Sequence, residues 1–174
     1  MFAKPAIAFA CFAALSAGAV RAADAPAAPA ATTSAITAQY AVGCTGALDP
    51  TDKNLTAWFA MFAPEFVDVD PKGKETKRDE MVAQMKQQLK TFHGTDCKND
   101  LGTVTAPDAN SAVAMNTLHI TGDIQAPDGK HDLDLTDKTQ DTWKLVSGTW
   151  LVTQTKHIHT VVKIDGAVVQ DLGQ

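Results

Sequence analysis

From Leu133 to Asp165, apolar and polar residues alternate in two long runs on either side of Val146-Ser147-Gly148-Thr149. Alternation with period two is the pattern of a strand that buries one face. Ser-Gly suits the centre of a two-residue turn, because glycine tolerates the positive φ that hairpin twist demands. The stretch therefore predicts one long β-hairpin. Pairing outward from the turn sets Leu145 against Trp150, Lys144 against Leu151 and Trp143 against Val152. The same register, continued, sets Asp141 against Gln154, Thr139 against Lys156 and Asp137 against Ile158. One face then carries Leu133, Leu135, Trp143, Leu145, Trp150, Val152, Ile158, Val162 and Ile164. Asp137, Thr139, Asp141, Gln154 and Lys156 lie in its middle. An apolar face with a polar island predicts a lined cavity rather than a solid core.

Upstream the periodicity is helical. Ile36, Tyr40, Cys44 and Leu48 recur every four residues, although Gly43 and Gly46 weaken the second half of that helix. Asp49-Pro50 breaks it. A second helix starts at Thr51-Asp52, buries Leu55, Trp58, Phe59 and Phe62, and is stopped by Pro64. Phe66 to Asp70 alternates as a short strand, with a turn at Pro71-Lys72-Gly73. A third helix follows, with Thr76 and Asp79 as a capping pair. Val82, Met85, Leu89 and Phe92 form its stripe, Met81 lies at the edge, and His93-Gly94 ends it. The rest reads as β: Leu101 to Thr105, Ala112 to Ile124, then the hairpin, with a frayed strand end from Gly166. Helices early and strands late predict an α+β fold, with three N-terminal helices packed on one face of a strongly bent antiparallel sheet.

Composition narrows the compartment and the partners. The 174 residues suit one domain, and a net charge of −5 argues against a nucleic-acid partner, which needs a concentrated basic surface. Lys72 to Arg78 is the one basic cluster, and it reads as a solvated loop. Residues 1–22 have the form of a secretory signal peptide: Lys4, an apolar run from Pro5 to Val20, and small residues at Val20 and Ala22. The run is too short and too rich in alanine for a stable membrane anchor. Its removal takes away two cations and no acid, moving the charge to −7. The expected location is periplasmic or secreted. Residues 23–32 read as a disordered Ala/Pro linker, 33–166 as the folded domain and 167–174 as a tail. In an exported chain, Cys44 and Cys97 read as a disulfide. It would close a loop of about 54 residues, for which chain entropy gives roughly 4 kcal/mol. The alternative is two separately buried thiols.

The order of elements, with Phe62-Ala63-Pro64-Glu65-Phe66, Asp141-x-Trp143 and Gly148-x-Trp150, resembles the nuclear transport factor 2-like superfamily. Within it, the chain is most similar to SnoaL-like, ketosteroid-isomerase-like exported bacterial proteins. The resemblance covers roughly Thr33 to Gly166. It implies a cone-shaped fold with a cavity between sheet and helices, and by analogy a homodimer. It does not imply one activity, since such folds host isomerases, dehydratases, cyclases, hydrolases and non-catalytic modules. Many relatives carry histidines at the inward positions that Gln154 and Lys156 occupy in this register, which argues against histidine chemistry. The ketosteroid-isomerase pattern calls for an acidic base with a tyrosine and a protonated acid as donors. Tyr40 is the single tyrosine of the chain.

The inward polar group is the candidate catalytic site: Asp141 or Asp137 as general base, with Lys156 stabilising developing negative charge. Gln154, Thr139, Trp143, Trp58, Tyr40 and His119 are the candidate ligand-binding residues. His157 and His159 form a His-x-His pair, but the register puts both on the outer face, and no third ligand accompanies them. A bulge between Gln154 and His157 would turn them inward. No metal and no cofactor are expected. The leading expectation is an exported protein binding a small apolar or amphipathic molecule. The alternatives are a cofactor-independent lyase, isomerase or cyclase using the same pocket, and a non-catalytic dimerising module.

Overall fold

The computed structural model describes residues 25–173. The expected signal peptide, residues 1–22, lies outside them. Helices α1 (Ala30–Leu48) and α2 (Asp52–Phe59) lead into strand β1 (Phe62–Val69), the short β2 (Glu75–Lys77) and helix α3 (Arg78–Gln88). Four long strands follow: β3 (Phe92–Asp108), β4 (Ser111–Ala126), β5 (Gly129–Val146) and β6 (Thr149–Ile164). The short β7 (Ala167–Gly173) closes the chain. The strands form one sheet in the order β2-β1-β6-β5-β4-β3, with β7 also paired to β6. The architecture is the expected α+β cone, with one difference. β1 runs parallel to β6, so the sheet is mixed rather than wholly antiparallel.

Local chemistry accounts for the element ends. The Thr51 hydroxyl accepts the Asn54 amide and caps α2. Pro64 does not stop that helix. It sits inside β1, within the stretch where the pairing of β1 with β6 is interrupted, and there its missing N–H costs no ladder bond. Helix α3 starts at Arg78 without a side-chain cap, so the Thr76–Asp79 pair does not cap it. Met81, rather than Val82 or Met85, is its buried residue. Arg78 is not a solvated member of a basic loop. Its guanidinium donates to the Phe59 and Phe62 carbonyls and pins the α2–β1 corner to α3. Ser147 and Gly148 both have positive φ, as a type I′ hairpin turn requires.

Gly43 and Gly46 do not end α1. They face Trp58, and a Cβ at Gly46 would lie 2.7 Å from its ring, so the glycines give α2 a seat against α1. The Ala/Pro stretch is less free than a linker. Ala28 donates to the Val104 carbonyl, Ala106 donates to that of Pro26, and the helix begins at Ala30. The tail likewise pairs with the second half of β6 as β7.

Two apolar clusters hold the layers together. The larger surrounds Trp143, fully buried, with Ile36, Tyr40, Phe66, Trp150 and Val152. Ala112 and Ala114 on β4 leave room for its indole, so small residues on one strand interlock with a large one on the next. The smaller cluster contains Ala47, Phe92 and Ile120. The cavity lies between the two. Cys44 of α1 is bonded to Cys97 of β3, with Cα atoms 5.5 Å apart, and the bond ties a helix to the sheet beside that cavity.

The disulfide joins residues 53 positions apart in the sequence. Reduction, or Cys44→Ala with Cys97→Ala, is expected to lower unfolding free energy by roughly 3–4 kcal/mol. Denaturant titration with and without reductant reads this directly, and superimposable curves would refute it.

Candidate functional site

Long strands reach the cavity with alternate side chains, so each contributes one inward row. On β6 that row changes twice. Trp143 faces Val152, but Thr142 then faces Gln154, leaving Thr153 as an extra residue. Thr139 faces His157 but Lys138 faces His159, leaving Ile158 as a second. Each bulge exchanges the two faces of the strand. After the first, Thr155 and His157 point inward. After the second, Thr160 and Val162 do. The expected register fails at Thr153, and with it the places of Gln154 and Lys156. Both are exposed, on the outer face. Lys156 therefore forms no network with Asp137 and Asp141. The bulge leaves the Lys156 ammonium in water and gives the inward place to His157, a cation that two carboxylates clamp.

His157 fills the vacated position. Its Nδ1 lies 2.7 Å from Asp137 Oδ2 and its Nε2 lies 3.0 Å from Asp68 Oδ1. The Thr160 hydroxyl donates to the other oxygen of Asp137 at 2.7 Å. Carboxylates only accept, so both ring nitrogens carry protons and His157 is an imidazolium. Burial opposes this charge, but the hydrogen bonds from Asp137 and Asp68 outweigh it and push the pKa up to about 10. His159 stays on the outside, paired with Asp171 at 2.8 Å. The two histidines thus do not converge. Among the described residues, no three His, Cys, Asp or Glu side chains gather as a metal site.

A second polar group lies beside the first. The Tyr40 hydroxyl donates to Asp141 Oδ2 at 2.5 Å, and the Thr139 hydroxyl donates to the same oxygen at 3.1 Å. Burial pushes the Asp141 carboxyl up, against the hydrogen bonds of Tyr40, Thr155 and Thr139 and the nearby charge of His157. Burial and the Asp141 charge also raise the Tyr40 phenol. Asn99 and Asn116 continue the polar band across β3 and β4, with Asn116 Nδ2 donating to Asn99 Oδ1 at 2.7 Å.

The remaining candidates divide. Tyr40, Trp58, Thr139 and Asp141 line the cavity. Asp137 sits behind His157, largely buried. Trp143 is core, packed edge-on to Tyr40 with ring centroids 5.4 Å apart, and does not reach the cavity. His119 is on the outer face, where its side chain is 45% exposed, bonds Thr136 and lies 3.7 Å from Asp100. It is not a pocket residue, because its β4 neighbours Leu118 and Ile120 take the inward positions. Asp68, Asn99, Asn116, Thr155 and Thr160 were not among the expected site residues. Asp68 carried a signal, since it alternates with Val67 and Val69, but alternation alone does not say which face is inside.

The cavity encloses about 680 Å³. Its walls are mainly apolar, with Phe62, Phe66, Met85, Phe92, Ile120 and Leu135 among them. The polar band crosses one side.

Comparison with known proteins locates the fold. No sequence-family profile matches the chain, and no curated protein matches it by sequence. Solved structures do match by shape. A conserved protein from Planctomyces limnophilus is similar over 77% of this chain and 98% of its own, with 12% identity and a TM-score of 0.64. A candidate scytalone dehydratase from Novosphingobium aromaticivorans is similar over 82% and 92%, with 13% identity and a TM-score of 0.65. A hexachlorocyclohexane dehydrochlorinase is similar over 83% and 89%, with 10% identity and a TM-score of 0.61. A nuclear transport factor 2-like protein from Cytophaga hutchinsonii aligns over 72% and 95%, with 15% identity and a TM-score of 0.56.

The raised pKa of His157 has a signed consequence. Its contribution to stability is fully present below its ordinary value of 6.5 and is lost as pH rises through about 10. Stability of the wild-type protein should therefore fall across that window. His157→Gln should remove this component and cost about 2–3 kcal/mol at pH 7, by leaving Asp68 and Asp137 without their cation. Denaturant midpoints between pH 6 and 10.5 test both. Parallel pH profiles for the two proteins would refute the imidazolium.

Proposed function

We propose that the chain has the nuclear transport factor 2-like fold put to use as a small-molecule site, which receives an apolar or amphipathic compound in the cone. The carrying observation is the cavity of about 680 Å³, apolar on most sides and crossed by one polar band. That size and lining are those of ligand sites, in which apolar walls supply affinity and a few polar groups fix orientation. Export fits the Cys44–Cys97 bond, since disulfides persist in oxidising compartments. No helix among the described residues is long and apolar enough to cross a membrane.

A second reading is favoured by the Asp68–His157–Asp137 cluster at the cavity wall. An imidazolium held between two carboxylates fixes a positive charge at the cavity wall, where it can stabilise developing negative charge, while Asp68 offers a carboxylate as base to the same space. Under this reading the protein is a cofactor-independent lyase or isomerase. Two neighbours in fold carry the names of a dehydratase and a dehydrochlorinase, which supports an elimination as the reaction class. This reading places the base at Asp68, because Asp141 Oδ2 is already taken by the Tyr40 and Thr139 hydroxyls.

Native mass spectrometry of the oxidised protein from an exporting host tests the first reading. A non-covalent adduct lost on denaturation supports it, and the adduct's composition separates the readings: one retained compound indicates binding, a substrate–product pair indicates turnover. Leu118→Trp places an indole in the cavity wall. It should weaken binding of an apolar fluorescent dye at least about tenfold while leaving the denaturation midpoint near wild type. Unchanged dye affinity in the folded variant would exclude the cone as the binding site.

A further inference from the structure

The two carboxylates that flank His157 are not equivalent. Asp137 is closed: its Oδ2 lies 2.7 Å from His157 Nδ1, its Oδ1 accepts the Thr160 hydroxyl, and its side chain is 10% exposed. Asp68 is open. Its Oδ1 lies 3.0 Å from His157 Nε2, its Oδ2 has no hydrogen-bond partner among the described residues, and its side chain is 24% exposed. That oxygen is accessible, since the fully enclosed orphan atoms of the described side chains lie on Asn116, Asp141 and Trp143. Asp68 lines the cavity, so the cone wall carries a free carboxylate oxygen.

The charge balance gives the character of the occupant. His157 is positive because both its nitrogens face carboxylate oxygens, and Asp68 and Asp137 are both negative, so the cluster keeps one net negative charge. Among the described residues, no lysine or arginine lines the cavity to offset it. The donors of the polar band are already committed. The His157 ring and the hydroxyls of Tyr40, Thr139 and Thr160 all donate to carboxylates. Aromatic rings add to the same preference. Phe66 lies two residues before Asp68 on the inward face of β1, its ring centroid is 4.7 Å from that of Phe62, and both rings line the cavity. The faces of such rings attract cations.

We infer that the cone takes an organic cation: an apolar body carrying a protonated amine, whose ammonium donates to Asp68 Oδ2 beside the Phe66 ring. The inference rests on the small-molecule reading above and names the head group that reading leaves open. A neutral alcohol can donate to the same oxygen, but it leaves the charge of the cluster unbalanced. A carboxylate adds to that charge and meets donors that are already committed. Enclosing unbalanced charge in an apolar cone is costly, so the ammonium is favoured over both.

Three probes that share one apolar body test it: 2-(aminomethyl)naphthalene, 2-(hydroxymethyl)naphthalene and 2-naphthoate, titrated calorimetrically into the oxidised wild-type protein at pH 7. The expected result is the amine binding about tenfold or more tighter than the alcohol, with the carboxylate weakest. Asp68→Asn keeps an acceptor for His157 and removes the charge. It should bring amine and alcohol to within about twofold, with the alcohol nearly unchanged. An amine preference that survives the substitution would reflect general attraction to an acidic chain and would overturn the inference. Should that variant fail to fold, the wild-type side-chain carboxyl of Asp68 provides the readout by carbon-13 resonance. It should shift with the amine, and an unmoved resonance at saturating amine would overturn the inference. Equal affinity of the wild type for amine and alcohol, or tightest binding of the carboxylate, would overturn it and leave the cavity reading standing. No binding by any probe would remove both.

Discussion

A charge inside an apolar cone must be paired, and β6 meets that constraint with His157 rather than Lys156. A regular β6 would carry Lys156 into the cavity and leave His157 in solvent. The extra residue at Thr153 exchanges them, so the cation that enters is one that two carboxylates can clamp. The exchange also settles Asp137. With Lys156 outside, Asp137 is satisfied by His157 and Thr160, and it needs nothing further from the cavity. The second extra residue, at Ile158, returns the strand to its earlier face. Without it, Val162 would turn outward and the apolar rim would be lost.

Beside this ion cluster stands a second polar group, and the two together make up the polar band. The Tyr40–Asp141 hydrogen bond joins α1 to the middle of the sheet, at the point where the Trp143 cluster ends and the cavity begins. The disulfide fixes the same helix to β3 one turn further on. Helix α1 therefore has two anchors to the sheet in the cavity wall, one covalent and one hydrogen-bonded. A cavity of this size between two separate apolar clusters would otherwise tend to collapse, since each cluster gains by closing on the other. Rigid anchoring of its roof opposes that collapse.

Legibility in the sequence followed the periodicity. The hairpin turn, the pairing from Leu145 to Val152 and the inward positions of Asp137, Thr139 and Asp141 could be read, because period two holds along β5 without interruption. β6 was legible only as far as Val152. A bulge adds one residue and leaves no compositional mark, so every assignment beyond it inverts at once, and Gln154, Lys156 and His157 were misplaced together. The charge of Lys156 was the available warning, because the assumed register carried an ammonium into an otherwise apolar cone. Tyr40 was found from helical spacing, whereas its link to Asp141 spans 101 residues and no local pattern reports it. Asn99 and Asn116 were missed for a related reason. A lone asparagine in a strand reads as an outward polar residue until the partner strand is known.

The two halves of the polar band also differ in how they can respond to a bound molecule. His157 has both nitrogens committed to carboxylates, so any proton it gives up must break a charge-assisted hydrogen bond. Its cost is set within the protein, and a ligand meets it as a fixed positive centre. Asn116 and Asp141 are held instead by amide and hydroxyl groups, through Asn99, Tyr40 and Thr139, so no cation is fixed on that side of the band.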